Sequence, residues 1–249
     1  MNLRDRLYLI LAGIFIATLV SCNLIFLKFF EWRPLDLYTF KLSVGILPYP
    51  ITFLVTDIIS ELYGKRKADQ VVISGLIASV FVSLLVFVAD SVPAIDPPGS
   101  PVDNETFHKV FGLNAPAVFA SVVAYLSAQV IDIRILHFWK KLTKGKPLWL
   151  RNNGSTIFSQ LVDTAVVLAL LFAFGALEDS EGGDNWAYFL TLLENGFLFK
   201  MLCALVDTPL FYAAVWYLKP RIGDETSEAA TMEKTADKAE ASGGTGPGE

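Results

Sequence analysis

The sequence predicts an all-α integral membrane protein, a compact bundle of about six transmembrane helices with both termini in the cytoplasm. Three observations predict it. The composition is 53% hydrophobic, 13% aromatic and only 18% charged, with a mean hydropathy of +0.49. A soluble domain carries about a quarter charged residues. Six stretches approach the roughly 20 apolar residues that a helix needs to cross a bilayer. Basic residues also collect in alternate connections between those stretches.

The first stretch, Leu7–Phe29, follows Arg4 and Arg6. Its apolar run is too long for the hydrophobic core of a cleavable leader, so it reads as a span. The second, Leu42–Leu62, is interrupted by Lys41, Pro48 and Pro50 and carries Asp57 inside it. Prolines at that depth are tolerated where neighbours or water satisfy the freed backbone groups, so this helix is expected to be broken or re-entrant. The third is Val71–Val92. Its small residues Ser74-Gly75 and Ala78-Ser79 suit close helix packing, within the fold or between copies, which leaves the oligomeric state open. Pro93–Gly112, with Pro97-Pro98-Gly99-Ser100-Pro101, reads as an irregular outer loop. The remaining spans are Ala115–Phe138, Thr156–Ala176 and Ala187–Leu218, the last long enough to tilt or project beyond the bilayer. Residues 1–221 therefore form one membrane domain. Residues 222–249 have almost no large apolar side chain and read as a disordered tail, because burial there cannot offset the ordering entropy. No internal repeat is visible.

Charge sets the expected orientation. Arg4, Arg6, Lys65-Arg66-Lys67, Lys140, Lys141, Lys144, Lys146, Arg151, Lys219 and Arg221 fall on one side. The opposite side has Lys28, Arg33 and Lys109 among many acidic residues. The positive-inside rule then places both termini in the cytoplasm, which demands an even number of spans.

Several function classes are disfavoured. A nucleic-acid-binding protein would show a continuous basic face, and none is present. Cys22 and Cys203 both lie in apolar runs, which argues against a disulfide framework or a zinc site. The two histidines, His108 and His137, lie in no metalloprotease motif, and no Gly-x-Ser-x-Gly occurs, so neither an enzyme nor a cofactor is expected. A structural subunit is the remaining rival to a transporter.

The informative residues are polar ones inside spans, where an ionisable group costs about 2.5–3.5 kcal/mol at the centre on insertion scales. Asp57 and Glu61 share a helix face in the second span, although Glu61 could simply sit in the headgroup region beside Lys65. Gln129 and Asp132 lie in the fourth, with Arg134 and His137 beyond. The fifth opens with Asn152 and Asn153 and continues to Gln160 and Asp163, and the sixth carries Lys200 and Asp207. These residues are expected to form a polar layer between helices, with Lys200 and Arg134 as counter-charges. Interhelical hydrogen bonds average only about 0.6 kcal/mol in measured membrane cases, so stability alone is a weak motive for keeping them. Trp186 and Tyr188 read as interfacial belt residues, whereas Tyr49 or Phe53, beside the broken part of the second span, could stack on a ligand.

The run Pro48-Tyr49-Pro50-Ile51-Thr52-Phe53-Leu54-Val55-Thr56-Asp57-Ile58-Ile59-Ser60-Glu61-Leu62-Tyr63-Gly64 resembles the signature of the queuosine precursor transporter family, also called the vitamin uptake transporter family. Tyr125-Leu126-Ser127-Ala128-Gln129-Val130-Ile131-Asp132 and Leu148-Trp149-Leu150-Arg151-Asn152-Asn153-Gly154-Ser155-Thr156, continuing to Gln160 and Asp163, are similar to two further family runs. Lys200 and Asp207-Thr208-Pro209 add to the resemblance, which spans the second to the sixth stretch. It implies import of 7-deazaguanine bases (preQ0, preQ1 or queuine), and a fold similar to the substrate-binding components of energy-coupling-factor transporters. It leaves open another nucleobase or vitamin as the substrate, a separate energising partner, and the energy source.

The residue inventory suits such a base. Carboxylates can accept from its ring N–H and amine donors, with Asp57, Asp132, Asp163 and Asp207 available. Gln129, Gln160, and Asn152 or Asn153 can satisfy its carbonyl and nitrogen sites. An aromatic face stacked on a base is worth about 1–3 kcal/mol in nucleic-acid sites.

Overall fold

The computed structural model describes residues 3–36, 38–95, 99–142, 148–177 and 184–222. Side chains are described for all of these except residues 35, 129–130, 132–142, 148–156 and 222. Seven helices and one small hairpin make up the described chain: α1 (Leu3–Leu24), β1 (Phe29–Trp32), β2 (Phe40–Ser43), α2 (Tyr49–Tyr63), α3 (Lys65–Ser91), α4 (Asn104–Phe111), α5 (Asn114–Leu142), α6 (Leu148–Ala173) and α7 (Asn185–Ile222). Five helical stretches of described residues are long and apolar enough to cross a membrane, and Ile157–Ala173 of α6 adds a shorter apolar one. The protein is an all-α membrane bundle. The tail expected at 222–249 lies outside the described residues from 223 onward.

Packing in α3 shows the membrane pattern directly. Its buried positions include Gly75, Ser79 and Ser83, while Ile77, Phe81, Leu84 and Phe87 are exposed. Small residues inward and large apolar residues outward is the arrangement lipid favours, because acyl chains solvate the large side chains as well as a core would. A Cβ on Gly75 would meet the Phe15 ring at 2.7 Å, so this glycine lets α3 lie against α1. The small-residue face thus packs within the fold at this point.

Three apolar clusters hold the bundle. Leu11 and Phe15 of α1 pack with Val55, Ile59 and Leu62 of α2 and with Ala68 and Val71 of α3. Ala117 and Ala120 of α5 pack with Leu171 of α6 and Leu192 of α7. Phe40 and Leu42 of β2 pack on Phe199 of α7. Between α2 and α3 the chain turns at Gly64 with φ +86°, a conformation that a side chain would strain.

The second predicted span is broken, and its first part is not helical. Phe40–Ser43 pairs antiparallel with Phe29–Trp32, a single 3₁₀ turn follows at Val44–Ile46, and α2 begins at Tyr49 with Pro50 in its first turn. Aromatic residues favour these strands. Phe40 and Leu42 of β2 are buried against Phe199 of α7, while Glu31, Trp32 and Lys41 stay exposed. A Cβ on Gly45 would meet the Cys22 carbonyl at 2.6 Å, so glycine permits the turn to press on the end of α1. The outer loop is also less irregular than expected. Asp103 accepts from the Thr106 amide at 2.7 Å and caps α4, which occupies much of it. That bond holds the Asp103 carboxyl below its ordinary pKa.

Candidate functional site

A cavity of about 310 Å³ lies among α1, α2, α3, α5, α6, α7 and the hairpin. This is the low end of the range typical of small-molecule pockets, about 300–1,000 Å³. Most of its lining is apolar, from residues such as Phe15, Leu19, Phe26, Val167 and Leu171, with polar groups concentrated at two places.

The first place joins three helices. Lys200 of α7 donates to Asp163 Oδ2 of α6 at 2.6 Å, and Tyr49 of α2 donates its hydroxyl to the same oxygen at 3.3 Å. The ammonium lies 4.8 Å from the centre of the Tyr49 ring, and Phe53 meets that ring edge-on at 4.8 Å. The Lys200 and Asp163 side chains are only 8% and 16% exposed. A buried charge is tolerated when paired, so each residue requires the other. Asp163 Oδ1 makes no hydrogen bond to a described residue, which leaves it able to accept from a ligand. Tyr49, Thr52, Phe53 and Thr56 all line the cavity. Their spacing puts them on one face of α2, which explains why the site is built there.

The second place lies on α1, α3 and α5. Ser121 donates to Asn23 Oδ1 at 3.0 Å, and Asn114 donates to the Asn23 backbone carbonyl at 3.2 Å. Asn23, Ser121 and Ser79 line the cavity. Sequence reasoning missed Asn23. The available signal was a primary amide well inside an apolar span, a costly group to bury without partners. Lys41 also lines the cavity, although the sequence marks it only as an interruption.

Of the candidate residues, the structure places Tyr49, Phe53, Asp163 and Lys200 in this lining. Asp57, Gln160 and Asp207 are outside it. Asp57 and Asp207 lie close enough for their charges to interact, and Gln160 Oε1 is buried without a partner among the described residues. Glu61 pairs with Lys219 at 3.3 Å on the surface rather than with Lys65. The side chains of Gln129, Asp132, Asn152 and Asn153 lie outside the described residues, as do those of Arg134 and His137. Among the described residues no group of acidic, histidine or cysteine side chains could hold a metal ion.

At the end of the bundle that carries the basic connections, aromatic and basic residues tie three helices together. Tyr63 donates to the Arg4 carbonyl at 2.9 Å, and Arg4 donates to the Leu62 carbonyl at 3.4 Å. Lys67 lies 5.2 Å from the Tyr8 ring centre. The cluster of Leu11, Val55, Ile59 and Leu62 fills the space between this end and the cavity.

A family model described as "Putative vitamin uptake transporter" matches residues 43–214. The chain is 27% identical to the "Probable queuosine precursor transporter" of Bacillus subtilis over 183 residues, 73% of this chain and 75% of that one. It is 24% identical to the "Queuosine precursor transporter" of Escherichia coli over 195 residues, 78% of this chain and 81% of that one. No solved structure matches the chain.

Proposed function

The chain belongs to the vitamin uptake transporter family, a family of membrane transporters and not of enzymes, and we propose that it imports a queuosine precursor of the 7-deazaguanine class. The observation that carries this reading is the Tyr49–Asp163–Lys200 cluster in a cavity with a mostly apolar lining. A planar base with adjacent ring N–H and amine donors can give one hydrogen bond to Asp163 Oδ1, which bonds to no described residue. Phe53 and the Tyr49 ring provide aromatic surface beside it. The names of the relatives support the same substrate class.

Positive charge orients the protein in this reading. Arg4, Lys65-Arg66-Lys67, Lys219 and Arg221 face the cytoplasm, so both termini are cytoplasmic in a cell (inner) membrane. Residues 1–221 form the transport domain. The packed cluster of Leu11, Val55, Ile59 and Leu62 then stands between the cavity and the cytoplasm. Inward release requires that barrier to open, with Arg4, Tyr8 and Tyr63 parting at its base.

The test is uptake of a labelled 7-deazaguanine by cells unable to make or import it, with queuosine in tRNA as the readout. Restoration by the wild type and loss with Asp163→Asn support the reading. No restoration, with the protein shown in the membrane, overturns it.

A further inference from the structure

We propose that Asn23 reads the carbonyl edge of the ligand, so that the cavity distinguishes 6-oxo from 6-amino bases at a wall separate from Asp163; this rests on the transport reading above. Asn23 is 9% exposed and lies near the end of α1, before the residues matched by the family model. Its side-chain oxygen is occupied by Ser121, and its backbone oxygen by Asn114. Its amide nitrogen donates to no described residue, yet the residue lines the cavity. A second polar group on this wall is also unmatched. Ser79 is 3% exposed, lines the same cavity, and has no hydrogen-bond partner for its hydroxyl among the described residues. A serine in a helix ordinarily satisfies itself on a preceding carbonyl, as Thr164 does on Gln160 and Ser74 on Gln70. Donors of Asn23 and Ser79 on one wall of the cavity, neither accepted by a described residue, call for an acceptor from the ligand.

The chemistry then divides between the walls. Asp163 accepts and cannot donate while ionised, so it suits a donor edge. Asn23 and Ser79 offer donors, so they suit a carbonyl oxygen. A guanine-type base carries both edges. Its 2,6-diamino analogue presents an amine where the carbonyl stood, and would leave the donors of Asn23 and Ser79 unmatched. Sites built to hydrogen-bond a substrate group discriminate well against analogues lacking it, because buried polar groups are then stranded.

Asn23→Asp tests this directly. Aspartate keeps the oxygen that accepts from Ser121 but replaces the amide donor with an acceptor. Binding of 7-cyano-7-deazaguanine and of its 2,6-diamino analogue would be measured by calorimetry on the full chain in lipid nanodiscs. We expect the wild type to favour the 6-oxo compound, and Asn23→Asp to reduce that ratio about tenfold or more. If Asn23→Asp fails to fold, the double variant Asn23→Ala/Ser121→Ala decides, since it removes both partners together. The same loss of preference is expected there. A wild type that binds neither base overturns the transport reading itself. Binding of the 6-oxo base with an unchanged ratio in a folded variant overturns the role of Asn23 and leaves the transport reading intact.

Discussion

Lys200 Nζ and Asp163 Oδ2 stand 2.6 Å apart in the interior of the bundle, 37 positions apart in sequence and on different helices. The pair is electrically neutral, and it is the point at which α2, α6 and α7 meet through polar groups. Removing either partner strands a buried charge, whereas removing both does not.

A double-substitution cycle follows from that asymmetry. Lys200→Met or Asp163→Asn alone should lower stability by about 3–5 kcal/mol, the usual cost of breaking a buried pair. Lys200→Met/Asp163→Asn should recover most of the loss while leaving uptake absent. Thermal unfolding in detergent and uptake in cells measure the two quantities. A loss in the double variant equal to the sum of the two single losses would show that the pair is not coupled.

Tyr49 separates the hydroxyl contribution from the ring contribution. Tyr49→Phe deletes the 3.3 Å bond to Asp163 but keeps the ring near Lys200 and Phe53. Affinity should fall by about tenfold or less, in line with one hydrogen bond. Tyr49→Ala, which also removes the ring, should cost clearly more. Identical affinities for the two variants would exclude the ring from ligand contact.

Asp57 and Asp207 provide the contrast. Both are intramembrane carboxylates by sequence, yet neither lines the cavity. Asp57→Asn and Asp207→Asn should each leave ligand Kd within about twofold, the change expected when no contact is lost. A much larger change would bring this part of α2 and α7 into the site.

Much of the fold was legible because length, hydrophobicity and charge are properties of whole stretches. Six spans and their alternation need no side-chain geometry. The hairpin was less legible, because four-residue strands such as Phe29–Trp32 sit in long apolar runs where neither period stands out. Proline and Lys41 announced a break without saying what filled it. An ionisable residue in a span pointed equally to Asp163 and Lys200, which line the cavity, and to Asp57 and Asp207, which do not. Only helix rotation separates them, and near-uniformly apolar helices carry little rotational signal. Asn23 lies in the first span, outside the runs that carry the family resemblance, and its only mark in the sequence is an amide inside an apolar stretch.

The turn at Gly45 tests whether the hairpin must be seated for the cavity to exist. Its Cβ position is 2.6 Å from the Cys22 carbonyl and 3.0 Å from the Phe26 Cα, both backbone atoms that cannot rotate away. Gly45→Ala therefore has to push the turn off α1. Overpacking of this kind costs about 1–3 kcal/mol. Because Asn23 lies beside Cys22 and the hairpin lines the cavity, binding should weaken together with stability. Gly13→Ala is the control, since no described atom beyond its chain neighbours and its own helix backbone lies within 4 Å of the added methyl. Thermal unfolding of both variants, with ligand binding on each, gives the comparison. A Gly45→Ala protein as stable as Gly13→Ala would mean that the turn is not pressed against α1, and the cavity wall it forms would have to be redrawn.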